Sequence, residues 1–175
     1  MKFFPEILKK EDEQGYTEFL QKHNHYIEHT LQWRNILEKK FGFAPLHVIA
    51  KNELGEIKAV LPLFEARSIL FGKRLVSTPY AMYAGVVAEE QEAAQELYHH
   101  ANKLSGERNA SYLEIRSPQK IPALEEAGFL VKKDFTNFYL QLTSLEEIWK
   151  NFPRSIRMGI KKAAKEGLTL REDNS

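Results

Sequence analysis

Polar and apolar positions along this chain change period several times, and each change marks a predicted element. Phe3 to Leu8 reads as a short edge strand, and the polar run Lys9 to Gly15 leads into a helix around Tyr16 to His23. Thr30 stands where a helix cap belongs, ahead of Leu31, Ile36, Leu37 and Phe41 at near-helical spacing; Gly42 ends that helix and Pro45 stops it. Trp33 on this helix is expected to pack or to border a cleft. Leu46 to Ala50 and Ile57 to Ala66 are apolar runs around the turn Asn52 to Gly55, which predicts a hairpin.

Arg67 to Lys73 connects the hairpin to the stretch on which the chain is organised, GKRLVSTPYAMYAGVVA from Gly72 to Ala88. Leu75-Val76 and Val86-Val87-Ala88 are strand-like and flank Ser77, Thr78, Pro79, Tyr80, Tyr83 and Gly85, so the pattern is strand, interrupting loop, strand. Pro79 removes a ladder donor and Gly85 permits close backbone approach, a break that would present Tyr80 and Tyr83 at the mouth of a cleft. The alternative is a core bend with both tyrosines half buried by their ring bodies. Glu89 to Leu104 follows as an acid-started helix with Ala93, Ala94, Leu97, Ala101 and Leu104 on one stripe. Ser111 to Arg116 predicts a strand, Ile121 to Ala127 a short helix closed by Gly128, and Asp134 to Leu142 a strand with Phe138, Leu140 and Leu142 alternating. Ser144 caps a further helix, with Glu147 at the box position.

Composition narrows the chemistry. With 175 residues, 43% hydrophobic and 28% charged, the chain is long enough for one full globular domain. Its 25 basic and 24 acidic residues nearly cancel, so any anion binding must come from local clustering. The absence of cysteine excludes disulfides and thiolate metal sites and fits a reducing compartment. No window approaches the ~18 apolar residues of a membrane span, and the N-terminus has no signal-peptide core. His25 and His29 are spaced i, i+4 but lack an HExxH context or a carboxylate in register, which argues against a metal site. His99-His100 falls on the wet edge of the long helix. Ser77, Ser111 and Ser117 lack a nucleophile elbow, and neither GxxxxGK[ST] nor GxGxxG occurs.

The clustering appears at the C-terminal end. Between Asn151 and Arg171 stand Arg154, Arg157, Lys161, Lys162, Lys165 and Arg171 against one acid, Glu166. At ~100° per residue, a helix from Pro153 to Gly167 gathers Arg154, Arg157, Lys161 and Lys165 within an arc of about 80°, with Ile156, Ile160, Ala163 and Ala164 on another face. Pro153 suits its first turn and Gly167 its C-terminal cap. Such a run is either a solvated face or an anion-binding face; the arginines favour binding because a planar guanidinium grips phosphate or carboxylate oxygens in pairs.

The succession HTLQWRNILEKKFG, LHVIAKNELGEIKAVLPLFEARS, LFGKRLVSTPYAMYAGVVAEE, ASYLEIRS, FYLQLTSLEEIWKNF and RSIRMGIKKAAKEGLTLRE resembles the first domain of the FemAB-like family, the Fem-type aminoacyltransferases and their GNAT-superfamily relatives. The resemblance covers nearly the whole chain, and its most specific parts are STPYAMYAGVV and the R-x-x-R-x-x-x-K-K-A-x-K-x-G-L end. It implies an α/β fold, a GNAT-like (acyl-CoA N-acyltransferase-like) mixed sheet flanked by helices, over residues 1–152. Residues 153–175 would be a basic linker helix and the start of a second GNAT-like domain that is absent here, with Leu168 to Glu172 as its opening strand.

The implied activity is transfer of an aminoacyl or acyl group to the amine of an anionic, peptidoglycan-like cell-wall precursor in the cytoplasm. No cofactor is expected beyond the co-substrate, which is aminoacyl-tRNA or acyl-CoA. No two of the nine glycines stand two apart, so the glycine loop that offers backbone N–H groups to a pyrophosphate at a helix start is missing. The expected substrate-binding residues are Tyr80, Tyr83 and Arg116 on a cleft wall and Arg154, Arg157 and Lys161 on the basic helix; no general base is identifiable. Two other readings stand beside this one: a stand-alone acyl-CoA-dependent N-acyltransferase, and a non-catalytic module that recognises a cell-wall precursor or an RNA.

Overall fold

Apolar side chains on both faces of the central strands determine the architecture. In the computed structural model, which describes residues 2–68, 70, 72–117, 121, 124–125, 127–132, 138 and 140–171, the chain divides into two units, Met1–Lys132 and Lys133–Ser175. The first unit holds strands β1 (Phe4–Ile7), β2 (Ala44–Pro45), β3 (Val48–Lys51), β4 (Ile57–Leu61), β5 (Phe64–Ser68), β6 (Gly72–Val76), β7 (Val87–Ala88) and β8 (Leu113–Glu114), with helices α1 (Glu13–Lys22), α2 (Leu31–Phe41) and α3 (Gln91–Glu107). The strands form two sheets in the orders β1-β3-β4-β7 and β2-β5-β6-β8.

The predicted hairpin is present, but its strands serve both sheets. β3 pairs antiparallel with β4, Val48 opposite Leu61 and Ala50 opposite Ala59. Beyond Pro62-Leu63 the same chain continues as β5 against β2, and the Leu46 N–H donates to Leu63 O at 2.7 Å across the junction. Pro62 has no N–H for a ladder and a fixed φ, so one run from Ile57 to Ala66 becomes two strands. Arg67 to Lys73 is not a connector outside the sheet: Arg67 pairs with Lys73 and Ser68 with Gly72 at the closed end of a β5–β6 hairpin. β6 runs parallel to β8, Leu75 beside Leu113 and Val76 beside Glu114, and α3 lies in the crossover between β7 and β8. The strand predicted over Ser111 to Arg116 shortens to Leu113–Glu114.

Two apolar layers clamp the sheet of β1, β3, β4 and β7. On one face Ala93, Leu97, Ala101 and Leu104 of α3 meet Val48, Ala50, Ala59, Leu61, Leu63 and Leu75. On the other, Tyr16, Phe19 and Leu20 of α1 meet Ile49 and Val60. This is the period-two alternation of a strand covered on both sides, and each fully buried leucine contributes roughly 1.5–3 kcal/mol. The Glu65 side chain, also buried, is held by Arg67 Nε at 2.6 Å and lies 3.8 Å from Arg108 at the end of α3.

The caps behave as the sequence requires. Thr30 accepts from the Trp33 N–H, and Gly42 closes α2 at φ 72°. Of the apolar positions on α2 only Leu37 is buried; Ile36 and Phe41 are exposed. Of the predicted short helix, Leu124 and Glu125 are helical and Gly128 follows at φ 85°, while 122, 123 and 126 lie outside the described residues. In the second unit α4 (Leu145–Asn151) starts at Ser144, whose hydroxyl accepts from the Glu147 N–H at 3.3 Å, and α5 (Arg154–Lys165) is followed by Gly167 at φ 77°. Most of the strand expected over Asp134 to Leu142 lies outside the described residues; 138 and 140–142 are in neither helix nor strand. Leu168 to Arg171 likewise form no strand, and Glu172 lies outside the described residues.

Candidate functional site

The interrupting loop between β6 and β7, residues 77–86, is fastened to the rest of the first unit from two sides. Toward β8, the Ser77 N–H donates to Glu114 O at 2.9 Å, the Arg116 N–H to Ser77 Oγ at 3.0 Å and the Ala84 N–H to Arg116 O at 3.0 Å. Toward the helices, Trp33 Nε1–H donates to Thr78 Oγ1 at 3.2 Å and His29 Nε2–H to Gly85 O at 2.9 Å. Donation through Nε2 leaves His29 Nδ1 to accept from the Tyr26 N–H at 3.2 Å, and burial lowers the pKa of this imidazole. Ser77 and Thr78 are fully buried with their hydroxyls engaged, so the loop begins rigidly.

Past Pro79 the backbone turns outward. Tyr80 has φ 58°, a conformation L side chains seldom adopt, and the residue is 71% exposed. Its ring lies 5.0 Å from Phe41 and 5.7 Å from Phe43, between centroids. Aromatic contacts of this kind contribute about 0.5–1.5 kcal/mol beyond area burial, enough to offset much of the backbone strain. Phe41, one of the apolar positions at helical spacing on α2, thus packs on the loop.

Beneath the ring lies a cleft of about 270 Å³ lined by Phe43, Ala66, Arg74, Val76, Pro79, Tyr80 and Arg116. It occupies the face of β5 and β6 opposite α3, because Leu75 and Leu113 point into the α3 core while their neighbours point away. Arg116 is anchored on both sides, Nε to Glu114 Oε1 at 2.6 Å and Nη1 to Ala81 O at 2.6 Å, and about a third of its side chain stays exposed. Arg74 donates from Nη1 to Tyr112 Oη at 3.0 Å and, among the described residues, forms no ion pair. Glu114 offsets Arg116, so the wall carries about one uncompensated positive charge, on Arg74.

Of the residues expected on the cleft wall, Tyr80 and Arg116 line it together. Tyr83 turns to Tyr26, with ring centroids 5.8 Å apart. Arg154, Arg157 and Lys161 are on α5 in the second unit, where no residue of the helix is buried. Arg74, Phe41, Phe43 and Pro79 had not been singled out for the site; the sequence signal for Arg74 is its polar position between strand residues of the organising stretch, and for the phenylalanines their placement on either side of the capping Gly42.

A second hollow, about 620 Å³, opens near the start of α3 and is lined by Lys2, Phe3, Glu53, Glu92, Gln95 and Glu96. The helix start itself carries Glu89, Glu90 and Glu92, with Glu89 paired to Lys58 at 2.9 Å and to His23 at 3.5 Å. Three carboxylates against one lysine make a rim that repels anions, and this cancels the attraction that a helix N-terminus otherwise offers them. Among the described residues, no three histidine, aspartate or glutamate side chains are grouped to hold a metal ion, and no helix is long and apolar enough to cross a membrane.

Solved structures share this arrangement of strands and helices. Glucosamine-6-phosphate N-acetyltransferase from Arabidopsis thaliana superposes with a TM-score of 0.56 at 14% identity, over 81% of this chain and 100% of that one. Ribosomal-protein-alanine N-acetyltransferase from Brucella melitensis biovar Abortus 2308 gives 0.54 at 11% identity, and a GNAT family acetyltransferase from Staphylococcus aureus subsp. aureus USA300_TCH1516 gives 0.50 at 10%, with the same two coverages. The chain has the GNAT fold. No protein-family model matches the sequence, and no curated protein matches it. At these identities the GNAT likeness is one of fold, and the strand interrupted by residues 77–86 is the part of that fold which carries the cleft.

Proposed function

We propose that this GNAT-fold chain takes part in acyl transfer to an amine, as the first half of a Fem-type transferase that adds an aminoacyl or acyl group to a peptidoglycan-like precursor. The observation that carries the reading is the arginine cleft under Tyr80, a preorganised site for an anionic substrate on a fold whose cited neighbours are N-acetyltransferases. The order of sequence blocks that resembles the Fem-type first domain supports the narrower assignment.

In the reaction the amine nitrogen attacks the carbonyl carbon of an activated ester. A C–N bond forms, the C–O bond to the leaving group breaks, and the proton lost by the amine ends on the departing oxygen. Positioning and stabilisation of the developing oxyanion supply most of the catalysis in such steps. Tyr80 and Arg116 bind substrate in the cleft, and Tyr83 supports the far side of the loop. Arg154, Arg157 and Lys161 on α5 bind anionic groups of the precursor or of aminoacyl-tRNA. The carboxylate rim at α3 and the missing glycine loop argue for an aminoacyl ester over acyl-CoA as donor.

The test is mass-spectrometric detection of product from the full-length protein, with aminoacyl-tRNA and acetyl-CoA offered in parallel to a nucleotide-linked precursor. Transfer from the aminoacyl ester alone is expected; transfer from acetyl-CoA alone would establish the acyl-CoA reading, and none from either would leave a binding module. Replacing Arg154 and Arg157 by alanine should weaken precursor binding by about 10- to 100-fold per engaged arginine with little change in melting temperature, since both are on an exposed helix. Unchanged affinity would make α5 an ordinary solvated helix.

A further inference from the structure

The charge and size of the cleft restrict what it accepts. Its positive charge is close to a single unit, because Glu114 lies 2.6 Å from Arg116 and, of the two cleft arginines, Arg74 forms no ion pair among the described residues. A single charge suits one carboxylate better than a pyrophosphate, and a guanidinium fork matches two carboxylate oxygens. The remaining wall is apolar: Phe43, Ala66, Val76, Pro79 and the Tyr80 ring. About 270 Å³ in a short cleft is enough for a carboxylate and one apolar side chain, the size of an amino acid or the end of a short peptide. The loop that forms one wall is fixed from behind by Trp33 and His29, so the cleft exists before the ligand arrives.

From this we infer that the cleft holds the carboxylate end of an amino acid or short peptide bearing an apolar or aromatic side chain. Arg74 and Arg116 grip the carboxylate, and the side chain lies between Phe43 and Tyr80. Resting on the acyl-transfer reading, this makes the group that enters the cleft the free carboxyl terminus of the acceptor, whose amine is the nucleophile.

Calorimetric titration of the full-length protein with N-acetyl-L-phenylalanine, its uncharged amide and inorganic pyrophosphate tests the inference directly. The acid should bind at least about 10-fold tighter than the amide and tighter than pyrophosphate. Arg74→Gln is the deciding variant, because Arg116 also supports Ala81 and its loss disturbs the loop. Arg74→Gln should weaken the acid by about 10-fold or more and leave the amide unchanged, with the melting temperature preserved. Equal affinity for acid and amide, tighter binding of pyrophosphate, or an unaffected Arg74→Gln would each overturn the proposal. The acceptor assay separates it from the broader reading. Carboxylate binding without acyl transfer to any amine refutes the transferase and leaves the site standing. Transfer with equal kcat/KM to acceptors with and without a carboxylate refutes the site and leaves the transferase.

Discussion

Two openings of the first unit differ in a way that size alone would hide. The hollow at the start of α3 is the larger, about 620 Å³, and is lined by Glu53, Glu92 and Glu96 against one cation, Lys2; the cleft under Tyr80 is less than half that volume and presents Arg74 and Arg116. A helix start is ordinarily the favoured place for an anion, yet here its dipole of about half a charge faces several full negative ones. Of the two openings, the one at the interrupted strand, where guanidinium groups are oriented by fixed partners, is the electrostatically more favourable for an anion. The lesson is that the sign of the charge, and what holds it in place, ranks these openings better than their volume.

The sharpest test inverts that ranking. Arg74→Glu should cost about 100-fold or more in affinity for N-acetyl-L-phenylalanine, since it removes one charge-assisted contact and adds a repulsive one, while Glu92→Lys at the α3 rim should change the same affinity by less than about 2-fold. Comparable losses from the two variants would erase the distinction between the openings.

Acid affects the molecule by a route that passes through neither rim. Burial, helped by the Arg34 guanidinium, pushes the His47 imidazole down to about 3, and its Nδ1–H donates to Leu63 O at 3.3 Å. The native state thus holds this ring neutral where the unfolded chain, with an ordinary pKa near 6.5, protonates it. Above about pH 6.5 the residue adds no pH dependence; as pH falls toward 3 the unfolded state gains the proton and stability is lost, by about 2–3 kcal/mol at pH 4.5. His47→Gln should flatten the decline of melting temperature between pH 6.5 and 4.5, and a slope equal to wild type would show that the ring is protonated in the native protein.

Neutralising the α3 rim should have a smaller effect. Glu90→Gln with Glu92→Gln should raise pyrophosphate affinity by about 5-fold at low salt, from a wild-type level weaker than that of the carboxylate probe, because two of the negative charges facing the helix dipole are then gone. No gain on titration would mean that the rim does not govern anion access. The mildest expected change is from Trp33→Phe, which removes the hydrogen bond to Thr78 and costs about 1 kcal/mol. Faster amide exchange at residues 77–80, with β3 and β4 unchanged, would report it.

How far these features were legible in the sequence depends on the range of the interaction that makes them. Thr30, Ser144, Gly42 and Gly167 act within four residues of where they stand, and each does in the structure what its type requires. Tyr80 was expected at a cleft because Pro79 and the strand break are local signals. Arg74 stands beside Ala66 through the β5–β6 hairpin, a short-range pairing, whereas Arg116 joins the same wall only through the parallel register of β6 with β8, which links positions 38 residues apart, Leu75 to Leu113. Tyr83 has its ring 5.8 Å from that of Tyr26, a residue far away in sequence, and no local pattern encodes that contact. The split of the second hairpin strand was announced by Pro62, whereas the sheet to which each half belongs followed from tertiary pairing alone.

The continuous passage of one chain segment through Pro62-Leu63 couples the assembly of the two sheets. A one-residue slip of β4 along β3 would carry β5 with it, and in both sheets every side chain of the moving segment would exchange faces. Val60 and Leu61 would trade their oily neighbours at the same moment as Phe64 and Glu65, so the penalty for misalignment accumulates over the whole length of the segment. The apolar core thereby acts as a proofreader for the distant polar cleft: a molecule that has buried its leucines correctly has already set Ala66 in place beside Arg74.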